Sequence, residues 1–300
     1  MPEIWECVGN TPIVDVDGIS FKLEYLNPGG SHKDRMAVSM LLDLIDRKGR
    51  GGAIVEATSG CTGVSLSLHG RAMGFDVYIT VKEDSSPVKV ALMRSLGAKV
   101  YTCPNVPPED PRSIKSVAER IAEEKGATFL MQDSNPANPK GQERMGEEIL
   151  ESLRRVNVFV MGVGTGGTIT GVGKLLKKEF GTKIIAVTSK GSELARKFGL
   201  SSKFEGEVEG YDSYHIPDNL DLSLVDEVYE VSRAEAIEWA SELLKRGIMG
   251  GMSTGAHYLA SLYAKKKYGG TVVTVAADSV LFHPPILNAS SGVAAYKLPF

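Results

Sequence analysis

Short runs of apolar residues alternate with longer stretches of helical spacing along this chain. The short runs are rich in β-branched residues, and several are nearly continuous in apolar positions, as in strands that are covered on both faces. They predict strands at residues 53–56, 77–81, 99–102, 156–161, 183–187 and 271–275. This alternation is typical of parallel strands joined by crossover helices, and it predicts the α/β fold class.

The longer stretches place apolar residues three and four positions apart, which predicts amphipathic helices. Within residues 33–48, Met36, Met40 and Leu44 share one face, and the glycines from Gly49 onward end the pattern. The remaining helices are predicted at residues 62–73, 87–96, 113–125, 142–153, 168–180, 233–246 and 254–266.

The composition is that of an ordinary globular protein, with 42% hydrophobic and 24% charged residues among 300. A formal net charge of -3 without a basic block predicts a small-molecule partner rather than nucleic acid or a membrane. The N-terminus lacks the pattern of a signal peptide, and no window holds 18 uncharged apolar residues, so we expect a cytoplasmic location. Neither the three cysteines nor the five histidines have metal-ligand spacing, and no metal is expected.

A glycine-rich loop, Gly162-Val-Gly-Thr-Gly-Gly-Thr168, lies between a predicted strand and a predicted helix. Glycines let the backbone approach an anion closely, and the free N–H groups at a helix start favour phosphate. The loop is therefore a candidate phosphate-binding site.

The same glycines also spell G-x-G-x-x-G, so a dinucleotide-binding protein is an alternative interpretation. That fingerprint requires an acidic residue at the end of the next strand, to bind a ribose hydroxyl. The next strand here ends in Thr188-Ser189-Lys190, where a lysine suits a 2′-phosphate at best. The NAD(P) alternative thus stays open but weak.

Lys33 lies in the first turn of a predicted helix, directly after the glycine turn in Asn27-Pro-Gly-Gly-Ser-His-Lys33. The positive end of the helix dipole favours the neutral form of an amine at this position. A neutral amine is the nucleophile that a Schiff-base lysine must supply. A solvated lysine is the ordinary alternative.

A third loop, Thr58-Ser-Gly-Cys-Thr-Gly63, joins another predicted strand to a helix. Hydroxyl groups and backbone amides at such a turn bind carboxylates, and the same hydroxyls also cap helices.

These loops occur in one order with several other short motifs. The series is Gly9-Asn-Thr-Pro12, Lys22-Leu-Glu24, Asn27 to Arg35, Thr58 to Gly63, Gly164 to Thr168, Gly251-Met-Ser-Thr-Gly-Ala256 and Asp278-Ser279. In this order and spacing the chain resembles the fold-type II enzymes that depend on pyridoxal 5′-phosphate (PLP). Within them it is most similar to the cysteine synthase and cystathionine β-synthase branch.

The resemblance implies that Lys33 is catalytic and binds PLP covalently as a Schiff base. It also implies a serine, Ser279, against the pyridine nitrogen, which would leave that nitrogen largely unprotonated. The phosphate would be bound by Gly164, Thr165, Gly166, Gly167 and Thr168. The substrate carboxylate would be bound by Thr58, Ser59, Gly60, Thr62 and Gln142.

One residue departs from the family pattern. Cys61 stands where the family usually has an asparagine beside the phenolic oxygen of the cofactor. A thiol is a weaker hydrogen-bond donor than an amide. We therefore expect that PLP still binds and that Cys61 shifts the balance between the cofactor's tautomers.

The resemblance further implies two α/β lobes, with PLP in the cleft between them. A smaller, mobile lobe is expected at residues 31–140, and a larger lobe at residues 1–30 and 141–300. The implied reaction is β-replacement, in which O-acetylserine or O-phosphoserine and sulfide give L-cysteine, and the implied assembly is a homodimer.

Three other functions remain open. A minimal cystathionine β-synthase that uses homocysteine and a serine or threonine deaminase are both compatible with the resemblance. The departure at Cys61 also leaves room for a PLP-binding homologue with little catalysis.

Overall fold

The computed structural model describes residues 1–58, 60–107 and 109–290, and the side chains up to residue 287. Its two mainly parallel β-sheets are flanked by helices, which confirms the predicted α/β class. The six-stranded sheet has the order β1-β2-β10-β7-β8-β9, and the four-stranded sheet has the order β5-β4-β3-β6. The strands are β1 Ile13–Val16, β2 Ile19–Leu23, β3 Ala53–Ala57, β4 Asp76–Lys82, β5 Lys99–Cys103, β6 Thr128–Phe129, β7 Val158–Gly162, β8 Lys183–Ser189, β9 Glu227–Val231 and β10 Val272–Ala276.

The α-helices lie between strands in the chain, as crossover connections do, except for the last one, which follows β10. They are α1 Lys33–Lys48, α2 Cys61–Ala72, α3 Pro87–Ser95, α4 Ile114–Lys125, α5 Ala137–Ser152, α6 Gly167–Phe180, α7 Glu193–Lys197, α8 Arg233–Lys245, α9 Met252–Tyr268 and α10 Pro284–Ser290. Among the described residues, no helix is long and apolar enough to cross a membrane.

The antiparallel pair β1–β2 was not predicted from the sequence. Val16 pairs with Ile19 across a two-residue turn, Asp17-Gly18, in which both residues have positive φ. Asp-Gly is a strong signal for this hairpin turn, because the turn needs two left-handed residues. β2 is buried along its whole length between β1 and β10.

Helix α5 begins five residues before the predicted start at residue 142. Pro136 is its N-cap, and Pro139 lies in its first turn. The N–H groups of the first turn have no partner within the helix, so proline is tolerated there. Two prolines in the sequence therefore marked the beginning of this helix rather than a loop before it.

Each sheet has its own hydrophobic core. Around the four-stranded sheet, α1 contributes Met36, Met40 and Leu41 and α2 contributes Val64 and Leu66 to one cluster. The six-stranded sheet has separate clusters on its two faces. This division agrees with the expectation of two lobes, while the boundary near residue 140 and the mobility of the smaller lobe remain predictions.

A buried ion network seats helix α1 against the six-stranded sheet and α5. The guanidinium of Arg35 donates to both Glu24 oxygens, at 2.7 and 2.8 Å, and to both Glu148 oxygens, at 2.9 and 2.7 Å. The Lys22 ammonium lies 2.6 Å from Glu148 Oε2. Burial raises the pKa of Glu148, but the hydrogen bonds from Arg35 and Lys22 outweigh it and lower this pKa to about 2.

We expect Glu148→Gln to lower the free energy of unfolding by about 3–5 kcal/mol at pH 7, because it leaves Arg35 and Lys22 short of a buried counter-charge. The folded-state pKa of Glu148 lies below its ordinary value of 4.5. Its contribution is therefore complete above pH 4.5 and is lost as the pH falls toward 2.

Chemical denaturation between pH 3 and 7 measures both effects. Asp43→Asn is the matched control, since it breaks the exposed Asp43–Arg47 pair and should cost at most about 1 kcal/mol. Equal losses for the two variants would contradict the structural role of the network.

Candidate active site

A cavity of about 820 Å³ opens between the two sheets. Its walls come from segments that directly follow β3, β6, β7 and β10, so the carboxyl ends of strands from both sheets meet here. Ligands of α/β proteins bind at such ends. Lys33, Thr58, Gly60, Cys61, Thr62, Gly164, Thr165, Gly166 and Thr168 all line this cavity, as the sequence interpretation required.

Lys33 is the first residue of α1, and its side chain lines the cavity. Burial lowers the pKa of its ammonium, while the negative charge of Asp133 opposes this shift. A lysine with a lowered pKa supplies more of the neutral amine that forms a Schiff base. This environment fits the predicted attachment of the cofactor.

The glycine loop connects β7 to α6 and is crowded by the chain around it. Gly166 has φ +77°, and a Cβ there would lie 2.7 Å from the backbone nitrogen of Leu220. Thr165 Oγ1 accepts a hydrogen bond of 2.9 Å from Asn138 Nδ2, which fixes the loop to α5. Gly167 packs on Asn138 and is not among the lining residues. The loop therefore forms a cradle with a helix N-terminus, which suits the cofactor's phosphate.

The loop after β3 is held from the other side by Gln132. Thr62 Oγ1 donates to Gln132 Oε1 at 2.7 Å, and Gln132 Nε2 donates to the Ala57 carbonyl at 3.0 Å. Thr58 Oγ1 accepts from the Gly60 N–H at 3.2 Å. Ser59, also predicted to bind substrate, lies outside the described residues.

The substrate-binding role of Gln142 stays a prediction that its position does not favour. Its side chain is fully buried in α5, where Nε2 donates to the His32 carbonyl at 3.2 Å, and it does not line the cavity. Gln132 is bonded to the loop after β3 and lines the cavity instead. Its place just after a strand could have pointed to Gln132. However, β6 is only two residues long, which is too short to give a strand pattern in the sequence.

Ser279 is also not among the lining residues. Its hydroxyl accepts a hydrogen bond of 3.3 Å from the Leu281 N–H, at the start of the 3-10 helix Val280–Phe282. The preceding residue, Asp278, lines the cavity in its place. The role proposed for Ser279 thus remains a prediction that its position does not favour.

A buried charged cluster surrounds Asp278. Its Oδ2 lies 2.7 Å from His283 Nε2, 3.8 Å from Lys89 Nζ and 3.3 Å from Cys61 Sγ. Lys89 and His283 also pair with Glu209. Burial strongly raises the pKa of the Cys61 thiol, so this residue is a neutral donor to Asp278. Sequence reasoning missed this cluster, because its members come from four separate segments.

Two histidines in the cavity are neutral. Burial and the charge of Lys33 lower the pKa of His32 to about 3, and burial lowers that of His257 to about 4. Within the described parts of the chain, no cluster of three or more histidine, cysteine or acidic side chains is arranged to hold a metal ion.

Two known proteins resemble the chain over most of its length. The cysteine synthase of Staphylococcus aureus is 34% identical over 292 residues, covering 91% of this chain and 92% of that protein. The cystathionine beta-synthase of Rattus norvegicus is also 34% identical, covering 93% of this chain but only 54% of the rat protein.

Two solved structures also resemble the chain over most of its length. O-ureido-L-serine synthase superposes with a TM-score of 0.88 at 27% identity, covering 98% of both chains. A hydrogen sulfide-producing enzyme of Fusobacterium nucleatum superposes with a TM-score of 0.82 at 31% identity, covering 93% of this chain and 98% of that one.

The family model for pyridoxal-phosphate dependent enzymes matches residues 4–278. This match and the relatives confirm PLP as the cofactor, and the dinucleotide alternative is no longer needed for the glycine loop. With Lys33 beside a phosphate cradle in a two-sheet fold, the chain belongs to the fold-type II, cysteine synthase-like branch of the pyridoxal-phosphate dependent enzymes.

Proposed function

We propose that this protein catalyses β-replacement on a serine ester, making L-cysteine from O-acetylserine or O-phosphoserine and sulfide. The observation that carries the proposal is the position of Lys33. Lys33 lines one cavity together with the glycine loop after β7 and the hydroxyl-rich loop after β3. The similarity to cysteine synthase supports the same reaction.

Lys33 has two tasks in this proposal. It would hold PLP through its amine, and the same amine, when free, would take the α proton of the amino-acid substrate. General-base help of this kind contributes about 10² to 10⁴ in rate. The lowered pKa of Lys33 keeps a larger share of the amine neutral and ready to take the proton.

The remaining residues would bind and orient the cofactor and the substrate. Thr165 and Thr168, with the backbone of the glycine loop, would hold the phosphate of PLP. Thr58, Thr62 and Gln132 would bind the substrate carboxylate through hydroxyl, amide and backbone donors. When bound, PLP supplies the electron sink that accepts the charge developing at the α carbon.

Motion of the smaller lobe would close the cavity and exclude water during the reaction. Lys89 of α3 already contacts Glu209 and Asp278 across the cleft, so side chains from both lobes meet at this point. We also propose a homodimer, on the resemblance alone.

The main alternatives to the proposed reaction differ in the leaving group on the β carbon of the amino-acid substrate and in the nucleophile that replaces it. O-ureido-L-serine synthase and cystathionine beta-synthase are also similar to this chain, so an ureido nucleophile and homocysteine are the next candidates. Assays with a panel of β-substituted alanines and nucleophiles separate these activities from a deaminase and from a non-catalytic homologue.

Replacement of Lys33 by alanine tests the attachment site. We expect Lys33→Ala to lose the visible absorption of the bound cofactor and to lose borohydride-dependent labelling of this peptide. β-replacement should fall by at least about 10²-fold, because the general base is lost as well.

Lys48→Ala, at the exposed end of the same helix, is the matched control and should keep both spectrum and activity. Labelling that persists in Lys33→Ala would refute the assignment.

Gln132 and Gln142 make contrasting predictions. Gln132→Leu should raise KM for the amino-acid substrate by about 10-fold or more, the equivalent of one hydrogen bond to a charged group. Gln142→Leu should leave KM unchanged, because its side chain is buried away from the cavity.

Steady-state kinetics measures both, and an unchanged cofactor spectrum shows that each variant still holds PLP. A raised KM in Gln142→Leu alone would restore the original assignment.

Cys61→Asn should change the visible absorption spectrum of the protein, because an amide is a stronger donor than a buried thiol. The comparison is made at equal cofactor content, with the exposed Cys7→Asn as control. Identical spectra for Cys61→Asn and the unmodified protein would remove Cys61 from the tautomer balance.

A further inference from the structure

Asp278 is a charged cavity residue that the proposed reaction leaves without a task. It follows β10 and forms an isolated antiparallel bridge with Ser31. The His32 N–H donates to the neighbouring Ala277 carbonyl at 2.8 Å. These backbone contacts hold the Asp278 carboxylate beside the start of α1, within electrostatic reach of Lys33.

The carboxylate has unused capacity to accept a hydrogen bond. Oδ2 is close to His283, Cys61 and Lys89, whereas Oδ1 is buried and has no hydrogen-bond partner in the described structure. The side chain is only 9% exposed, so water does not readily satisfy it. A buried acceptor without a partner is costly, and its presence in a cavity wall indicates a ligand that brings a donor.

The cluster keeps this carboxylate ionised. Burial raises the pKa of Asp278, but the charge and hydrogen bond of His283 and the charge of Lys89 outweigh burial and lower it well below its ordinary range. Burial lowers the pKa of His283, but Asp278 and Glu209 raise it to about 9. Glu209 in turn balances the positive charge of Lys89. The buried cations therefore hold Asp278 in its acceptor-only form.

The cofactor offers one suitable donor. Attachment to Lys33 and binding of the phosphate in the glycine loop would fix two ends of the molecule. The phenolic oxygen shares its proton with the nitrogen attached to Lys33, so the pyridine nitrogen is the ring atom left to donate to an external group. An ionised carboxylate can only accept a hydrogen bond, so it pairs with the pyridine nitrogen only when the nitrogen is protonated.

We propose that Asp278, and not Ser279, contacts the pyridine nitrogen of bound PLP and keeps it protonated. The Ser279 hydroxyl already caps the following 3-10 helix. A carboxylate at this position makes the ring a stronger electron sink than a serine does, because the positive nitrogen accepts charge from the α carbon. The titratable groups that act on Asp278 are His32, Lys33, Cys61, Lys89, Tyr211, His257 and His283, and Glu209 acts on Lys89 and His283.

The test is nitrogen NMR of the intact protein loaded with PLP that carries 15N in the ring. The ring-nitrogen shift distinguishes a protonated from an unprotonated pyridine directly, without turnover. We expect the protonated shift at pH 7 to 8 in the unmodified protein and in Ser279→Ala. Asp278→Asn should show the unprotonated shift, and Asp278→Glu should restore the protonated one.

Two results would overturn the proposal. One is an unprotonated ring nitrogen in the unmodified protein, which settles the matter even if Asp278→Asn does not fold. The other is a shift that changes in Ser279→Ala and stays constant in Asp278→Asn. Because the readout is the resting cofactor, the outcome does not depend on which β-replacement the protein catalyses.

Discussion

The position of Lys33 depends on the buried guanidinium of Arg35, two residues further along α1. Arg35 is gripped by Glu24 from the chain after β2 and by Glu148 from α5, and every contact is shorter than 3 Å. Buried charges are costly unless each one is paired, so this arrangement tolerates little displacement. The network of Arg35, Glu24 and Glu148 fixes the position of α1, so that the first residue of this helix lies at the cavity.

The two sheets then complete the site by meeting at their carboxyl ends. The loops that follow β3, β6, β7 and β10 each contribute residues to the wall of the same cavity. Hydroxyls and Gln132 come from the smaller sheet, while the phosphate cradle and Asp278 come from the larger one. The cavity thus lies between two separately packed cores, and a change in their relative position would open or close it.

Each charged group of the Asp278 cluster is paired with a neighbouring group of opposite charge. Lys89 and His283 face Glu209 and Asp278 in a cluster in which Glu209 alone is partly exposed, and Cys61 donates to Asp278. The cysteine that departs from the family pattern is therefore part of an ion network, not an isolated substitution. In a medium of low polarity such a network determines which atom next to the cofactor carries a charge.

The sequence by itself determined the elements and the local motifs. Apolar spacing predicted α1 with its observed bounds, and the strand-glycine-helix pattern located the phosphate cradle, because these features depend on neighbours within a few residues. Only the tertiary structure shows that Gln132 rather than Gln142, and Asp278 rather than Ser279, lines the cavity. Those choices depend on the direction of side chains at the end of a strand or on a packed helix. Contacts from distant segments fix these directions, and no local pattern records them.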